Sequence, residues 1–535
     1  MSASLYRSFN RAGEFLERHA STAAAILFLF VILAGLAQAS NKPLGNDEVY
    51  TYLAAALPGW SGVWGFFAHG ADTPSPLPAL FVHPLLHFSA NTEIITRLPF
   101  DLAFAVMCLC LYVFMRRAYP AGYALAALIA PVVLPFFFYY SSEDRAYAFL
   151  LAGTAFAIVC WQAANQPGAR KWSAAGMWLG LAFAICAHIF AIFLIVPFAL
   201  AQIMADRERK RINVPVWTAL VLFPLGILPV LHGELVASHA FRSSFFSKPS
   251  PAMLQSTYKS FFSQPYEACI ALLLFAVFAL LFYRAGAASE QQAAQRGLTR
   301  PEIAFAAALS FMPLYVVPAA MLLGVYREPY SLPALIGIVI CVIAAVAELS
   351  HRQIALAAAL FVSLLLAVCA KTASMVHLRT LAHPQRVHEN IARAYDLQPW
   401  VQLAASSPLP VVMANPNSYT QARFYLPEAI QHRLWYITDL ALIRRYPESS
   451  STQISIIRTG KFVFLPSMAW EDFAARYPHF LLVNSSPEDA WLPGFLAQQP
   501  RDHIKIELLG PDFSGFSVYD VQVLNPAQPQ ASANP

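Results

Sequence analysis

The chain has 535 residues, 58% of them hydrophobic and only 12% charged, with a formal net charge of +5. Soluble globular proteins carry about 25% charged residues, so this composition excludes an ordinary soluble chain and places most of the polymer in lipid. So small a positive surplus gives no case for nucleic acid, and the basic residues lie in loops between apolar stretches.

Eleven apolar segments follow one another along the chain: 21–39, 98–115, 121–139, 147–164, 172–187, 189–205, 214–231, 266–283, 302–325, 331–348 and 353–370. Each is near the ~20 residues that a helix needs to cross a bilayer. The first has no clear small-x-small cleavage site and reads as an uncleaved anchor. With a cytoplasmic N-terminus, fifteen Lys and Arg fall on the inner side and seven on the outer side before the tail. That satisfies the positive-inside rule. An odd number of spans then puts the C-terminal region outside, in the periplasm of a Gram-negative cell. The seven cysteines all lie in apolar stretches and read as small core residues.

Two outer regions are long. Residues 40–97 hold Trp60, Trp64, Phe66 and Phe67, then the run Leu77 to Phe88, and predict helices lying flat in the interface. Residues 232–265 mix Phe241, Phe245, Phe246, Tyr258, Phe261 and Phe262 with Arg242, Lys248 and Lys259. They suit either an isoprenoid phosphate or an ordinary aromatic belt. The tail from 372 onward is nearly balanced in charge and carries short apolar runs at 410–414, 461–465, 480–484, 504–509 and 516–524, which predict a small α/β domain. No glycine-rich phosphate loop occurs in it. The expected organisation is therefore a membrane domain over 1–371, an extracytoplasmic α/β domain over 372–525 and a disordered end over 526–535. In fold class it is a polytopic α-helical membrane protein of about eleven spans, with interfacial helices in the first outer loop and a small C-terminal α/β domain.

Three polar clusters interrupt the apolar pattern. Asp47 and Glu48 follow the first span directly. A carboxylate there serves as a base toward a hydroxyl or amine acceptor, or holds a divalent cation that screens a lipid phosphate; otherwise the pair simply caps the next helix. The run Tyr139 to Tyr147 puts Glu143, Asp144 and Arg145 between two apolar segments. Ions so close to hydrocarbon must pair or line a wet cavity. Arg145 offers a fork of donors to phosphate oxygens, beside Tyr147, with a structural salt bridge as the alternative. Arg327 and Tyr330 recur in the run Val325 to Pro333, where they bind phosphate or reach the headgroups. His188 sits at the turn of the hairpin 172–205. His69, Asp72, His83 and His87 match no compact metal spacing. Asp47 and Glu143 remain candidate ligands for a divalent cation.

The order of these motifs resembles membrane glycosyltransferases of the C fold. The resemblance is in particular to the bacterial relatives of protein O-mannosyltransferases and of the lipid A aminoarabinose transferase, glycosyltransferase family 39. Asn46-Asp-Glu-Val-Tyr50 resembles their acidic motif after the first span. Asp72-Thr-Pro-Ser-Pro-Leu77 is a version of the next motif that lacks its His. Arg97-Leu-Pro99, Ser141-Ser-Glu-Asp-Arg-Ala-Tyr147, Ala187-His-Ile-Phe190 and Arg327-Glu-Pro-Tyr-Ser-Leu-Pro333 follow in order. The resemblance covers about residues 20–370. It implies transfer of a hexosyl or pentosyl group from a polyprenyl-phosphate donor to an acceptor on the outer side, with inversion. The catalytic candidates are Asp47 and Glu48. Arg145, Tyr147, Arg327 and Tyr330 bind the donor phosphate, with Glu143, Asp144, His188 and Arg97 in support. Two other readings fit a polytopic chain: a flippase or transporter for lipid-linked glycans, which would favour charges in mid-span and inverted repeats, and a non-catalytic scaffold for envelope assembly. The expected location is the bacterial inner membrane.

Overall fold

The computed structural model describes residues 2–524 apart from 73–74, 89–91, 242–248, 285–296, 376–386, 444, 447–450, 486–490 and 510–514. Arg242, Phe245, Phe246, Lys248 and the expected disordered end at 526–535 lie outside the described residues.

The protein is mostly helical. Among the described residues six helices are long and apolar enough to cross a membrane: Ala20–Ala39, Thr92–Arg116, Tyr147–Ala164, Ile189–Arg209, Tyr266–Tyr283 and Ile354–Met375. Two further pairs pass the same test but bend, by 61° between Val214–Ile227 and Leu231–Phe241 and by 46° between Arg300–Ser310 and Met312–Leu323. Of the eleven expected spans, six meet this test among the described residues, or eight with the bent pairs. The three remaining segments are helical but short: Ala121–Val133, Lys171–Ala187 and Ala334–Leu349. Proline explains one of them. Pro131 lies in a 3-10 turn and Pro135 opens a new five-residue helix, so the segment from residue 121 to 139 is not one straight rod.

Small residues let the helices approach. Gly153 of Tyr147–Ala164 faces Gly180 of Lys171–Ala187; a Cβ on either would lie 2.7 Å from the other's carbonyl oxygen. Such close backbone contact is how membrane helices gain packing energy where lipid is as apolar as leucine. The first helix, Ser2–Arg18, is amphipathic. It packs on the last span and on Tyr266–Arg284, where Phe9 lies 4.8 Å from Phe278 between ring centres.

The first outer loop forms the short helices Asn46–Ala55, Gly59–Ala68 and Leu77–Val82, in line with its aromatic pattern. Trp60 and Trp64 remain exposed on them, as interfacial anchors do.

The C-terminal residues form a six-stranded mixed sheet: β1 (Val411–Met413), β2 (Leu434–Ile437), β3 (Ser467–Met468), β4 (His479–Asn484), β5 (Ile504–Leu508) and β6 (Ser517–Val523), in the order β3-β2-β1-β4-β6-β5. β1 lies parallel to β2 and β4, and β6 runs antiparallel to β4 and β5. Four of the five expected strand runs are strands. The fifth, Lys461 to Leu465, is a turn that sends Phe462 onto Phe66 of the first outer loop at 5.4 Å between ring centres. The strand Leu434–Ile437 takes its place in the sheet.

Candidate active site

The site grows from the break after the first span. The chain leaves Ala39, turns through Pro43 to Gly45 and begins helix Asn46–Ala55, whose first turn holds both acidic residues. Neighbours on a helix point about 100° apart, so the two carboxylates diverge. Glu48 is fully buried and Asp47 is 57% exposed.

Glu48 is a structural hub. Its Oε2 accepts from the Gly45 amide at 2.6 Å and from Arg97 Nη2 at 2.6 Å. Its Oε1 accepts from Arg97 Nε at 2.8 Å and the Asp144 amide at 3.3 Å. Arg97 spends its remaining donors on the carbonyls of Ala39, at 2.9 Å, Lys42, at 2.6 Å, and Pro43, at 2.8 Å. Burial alone would push the Glu48 carboxyl up, but the Arg97 charge and hydrogen bonds outweigh it and hold the group below its ordinary value. One ion pair thereby fixes the exit of the first span, the start of the acidic helix and the loop before Tyr147.

Asp47 faces the opposite way, toward Arg145. The Arg145 guanidinium binds Asp72 Oδ2 at 2.9 Å, lies 3.7 Å from Asp47 Oδ2 and donates to the Asp47 carbonyl at 3.3 Å. Tyr147, His188 and Tyr330 stack into one wall beside it, with ring centres 5.7 Å apart for Tyr147–His188 and 4.7 Å for His188–Tyr330. The His188 ring is pushed down to about 4 by burial and then by the Arg145 charge, so it stands neutral at physiological pH. Its Nδ1 accepts from the Phe190 amide at 3.3 Å. Arg327 lies three residues before Tyr330, whose amide donates to the Arg327 carbonyl at 3.0 Å.

Glu143 and Asp144 lie behind this centre. Glu143 binds Lys42 Nζ at 3.2 Å and the Tyr139 hydroxyl at 2.8 Å; burial is the main force raising it. Asp144 is buried with no partner on either carboxylate oxygen and is raised by burial and by the Glu48 charge.

The structure therefore brings Asp47, Arg145, Tyr147, His188 and Tyr330 together, with Arg327 adjoining Tyr330 through the backbone, and sets Glu48 and Arg97 beneath them as a pair. Sequence reasoning gave no role here to Asp72, the direct partner of Arg145, although its motif was visible. It also missed Glu234, which lines a cavity of about 50 Å3 with Asp72, Trp64 and His232. Among the described residues no group of three or more His, Cys, Asp or Glu side chains is placed to hold a metal ion. His69 and His83 instead bond to backbone carbonyls of Gly65, at 2.7 Å, and Ala55, at 2.6 Å.

The fold thus joins a body of long apolar helices, short helices after the first span and a mixed six-stranded sheet. Residues 72–232 match the model of the family described as dolichyl-phosphate-mannose-protein mannosyltransferase, so the resemblance to glycosyltransferase family 39 holds over that segment. The crystal structure of ArnT from Cupriavidus metallidurans bound to undecaprenyl phosphate shares the fold: TM-score 0.52, 14% identity, covering 95% of this chain and 99% of that one. The apo structure of the same protein gives a TM-score of 0.49 at 14% identity, over 96% of this chain and 100% of that one. No curated protein sequence matches the chain.

Proposed function

We propose that the protein is an inverting glycosyltransferase of a bacterial inner membrane. It moves a hexosyl or pentosyl group from a polyprenyl-phosphate donor to an acceptor at the periplasmic face. The observation that carries this reading is the divergence of the two carboxylates: Asp47 stands open beside the Arg145 guanidinium, while Glu48 is consumed by Arg97.

In the reaction an acceptor hydroxyl or amine attacks the anomeric carbon from the face opposite the phosphate. Asp47 takes the acceptor's proton, the C1–O bond to phosphate breaks, and the departing phosphate carries the charge. Arg145 and Arg327, with the hydroxyls of Tyr147 and Tyr330, stabilise that charge in a poorly hydrated site. Polyprenyl phosphate is already a good leaving group, so no nucleotide site is required. Asp72 holds Arg145 in place, and Glu48, Arg97, Glu143, Asp144 and His188 support the scaffold. The 372–525 region is an extracytoplasmic unit that braces the acidic helix. Undecaprenyl phosphate on the structurally similar ArnT supports a polyprenyl carrier here.

The test is transfer from a radiolabelled polyprenyl-phosphate sugar by purified protein in lipid. Asp47→Asn should lower the rate by about 100-fold to 10,000-fold, the range of a positioned general base. A variant as fast as the wild type sinks the assignment.

A further inference from the structure

On the other side of the Lys42–Glu143 pair lies a pocket of about 400 Å3, within the range of small-ligand sites. Its walls are the outer ends of four helices: Gln38 at the end of the first span, Phe138 and Tyr139 of Pro135–Tyr139, Glu267 at the start of Tyr266–Tyr283 and Lys371 near the end of Ile354–Met375. No residue of the Asp47–Arg145–Tyr330 cluster lines it.

Its polar groups are unusual. Lys371 is only 7% exposed, and its ammonium makes no hydrogen bond among the described residues; it lies 5.3 Å from the centre of the Phe138 ring. Glu267 has a buried carboxylate oxygen with no partner. Glu267 and Lys371 line the same pocket, and no ion pair joins them among the described residues. Lys42 sits at the rim with its ammonium over Tyr139 at 4.0 Å. A buried cation and a half-buried carboxylate with one buried, unpartnered oxygen line the same pocket, an arrangement that is costly unless a third group bridges them.

The bridging group needs a negative end for Lys371 and Lys42 and a hydrogen-bond-donating positive end for Glu267. A phosphate joined by two carbons to a primary ammonium has both. One wall, Tyr266–Tyr283, is the least buried of the six long apolar helices, at 11%, as a lipid-contacting helix would be. We propose that this pocket binds the phosphoethanolamine headgroup of a membrane lipid, with the phosphate on Lys371 and Lys42 and the ammonium donating to Glu267. The site is separate from the transfer centre and does not depend on that assignment.

Native mass spectrometry tests it on the full chain in nanodiscs of equal phosphatidylethanolamine, phosphatidylcholine and phosphatidylglycerol. Wild type should retain phosphatidylethanolamine at least about tenfold over the other two. Phosphatidylcholine has the same phosphate but no N–H, so Glu267→Gln should erase the ethanolamine preference while phospholipid is still retained. Lys371→Met should abolish selective retention and Lys371→Arg should restore it, which separates loss of the site from loss of the fold. Free phosphoethanolamine carries the same polar groups. If it binds while the lipid is not retained, the lipid assignment fails. Equal retention of the three lipids by wild type, or an unchanged preference in Glu267→Gln, overturns the proposal.

Discussion

Glu48→Gln and Asp47→Asn are nearly identical changes at adjacent positions, and the structure demands opposite outcomes. Glu48 accepts four hydrogen bonds, two on each oxygen, from Arg97 Nε and Nη2 and from the Gly45 and Asp144 amides. A glutamine has one acceptor oxygen and one NH2, so either flip aims a donor at two donors. The substitution also leaves the Arg97 charge buried without its counter-ion. Removing one partner of a buried pair costs about 3–5 kcal/mol, a large part of a typical stability of about 5–15 kcal/mol. Three carbonyls still hold Arg97, at 2.6 to 2.9 Å, which places the loss toward the lower end of that range. Asp47 is 57% exposed and its substitution leaves no buried group stranded. Thermal unfolding in detergent, followed by intrinsic fluorescence beside a transfer assay, reads both effects. Glu48→Gln should melt well below wild type, and its activity should fall with the folded fraction. Asp47→Asn should melt with wild type and lose turnover. A Glu48→Gln protein as stable as wild type would refute the claim that this pair anchors the acidic helix.

Arg145→Ala should weaken donor binding, measured by titration with polyprenyl phosphate, and should do so more than Asp72→Asn, which leaves the guanidinium present but less fixed. Tyr50→Phe should leave the melting temperature unchanged or raise it, because the Tyr50 hydroxyl is buried with no partner; Tyr50→Ala should lower it by opening the cluster with Tyr419 and Tyr436. His388, in helix Val387–Asp396, is raised above its ordinary value chiefly by its hydrogen bond to Glu93 at 2.9 Å. A raised histidine stabilises fully below its unfolded pKa of about 6.5 and loses that contribution as pH climbs through the folded value. Exchange protection in Val387–Asp396, taken relative to the intrinsic rate at each pH, should therefore be higher at about pH 6 than at about pH 8.5, and His388→Asn should flatten that difference.

The sequence made the membrane body legible because apolar length is set by bilayer thickness, and each of the eleven segments does contain helix. It hid where those helices break. The 61° bend falls between Ile227 and Leu231, beside the turn that holds Pro224 and Gly226, and hydropathy averages over such points. Asp47 and Glu48 drew attention together. Their separate fates were readable in part, since Glu48 stands three residues after Gly45, where a helix cap wants a glutamate. The partner Arg97 was read as support, but nothing in a linear pattern tells that all its donors go to one carboxylate and three carbonyls. In the tail, Leu434–Ile437 is too short to display a period, whereas Lys461 to Leu465 holds a continuous β-prone apolar run and is not a strand. Tertiary contact with Phe66 decided that segment.

The C-terminal unit bears directly on the proposed base. Tyr50, one turn beyond Asp47, is buried with Tyr419 and Tyr436 of that unit. The Asn46 side chain accepts from the Thr420 hydroxyl, and Gln421 Nε2 donates to the Leu44 carbonyl at 2.9 Å. The Tyr425 hydroxyl accepts from the Leu44 amide at 2.7 Å and donates to Glu93 at 3.0 Å. Helix Asn46–Ala55 has ten residues, too few to hold itself in water. It is held from below by Glu48–Arg97 and from above by helix Pro416–Tyr425. A base must stay within hydrogen-bond reach of the proton it removes, and misplacement by about 1 Å costs on the order of 100-fold. Deleting the residues after 375 should therefore cut turnover by at least that order while Arg145 and Tyr330 still bind donor. A truncated protein that turns over like the full chain would show that the membrane body positions Asp47 alone.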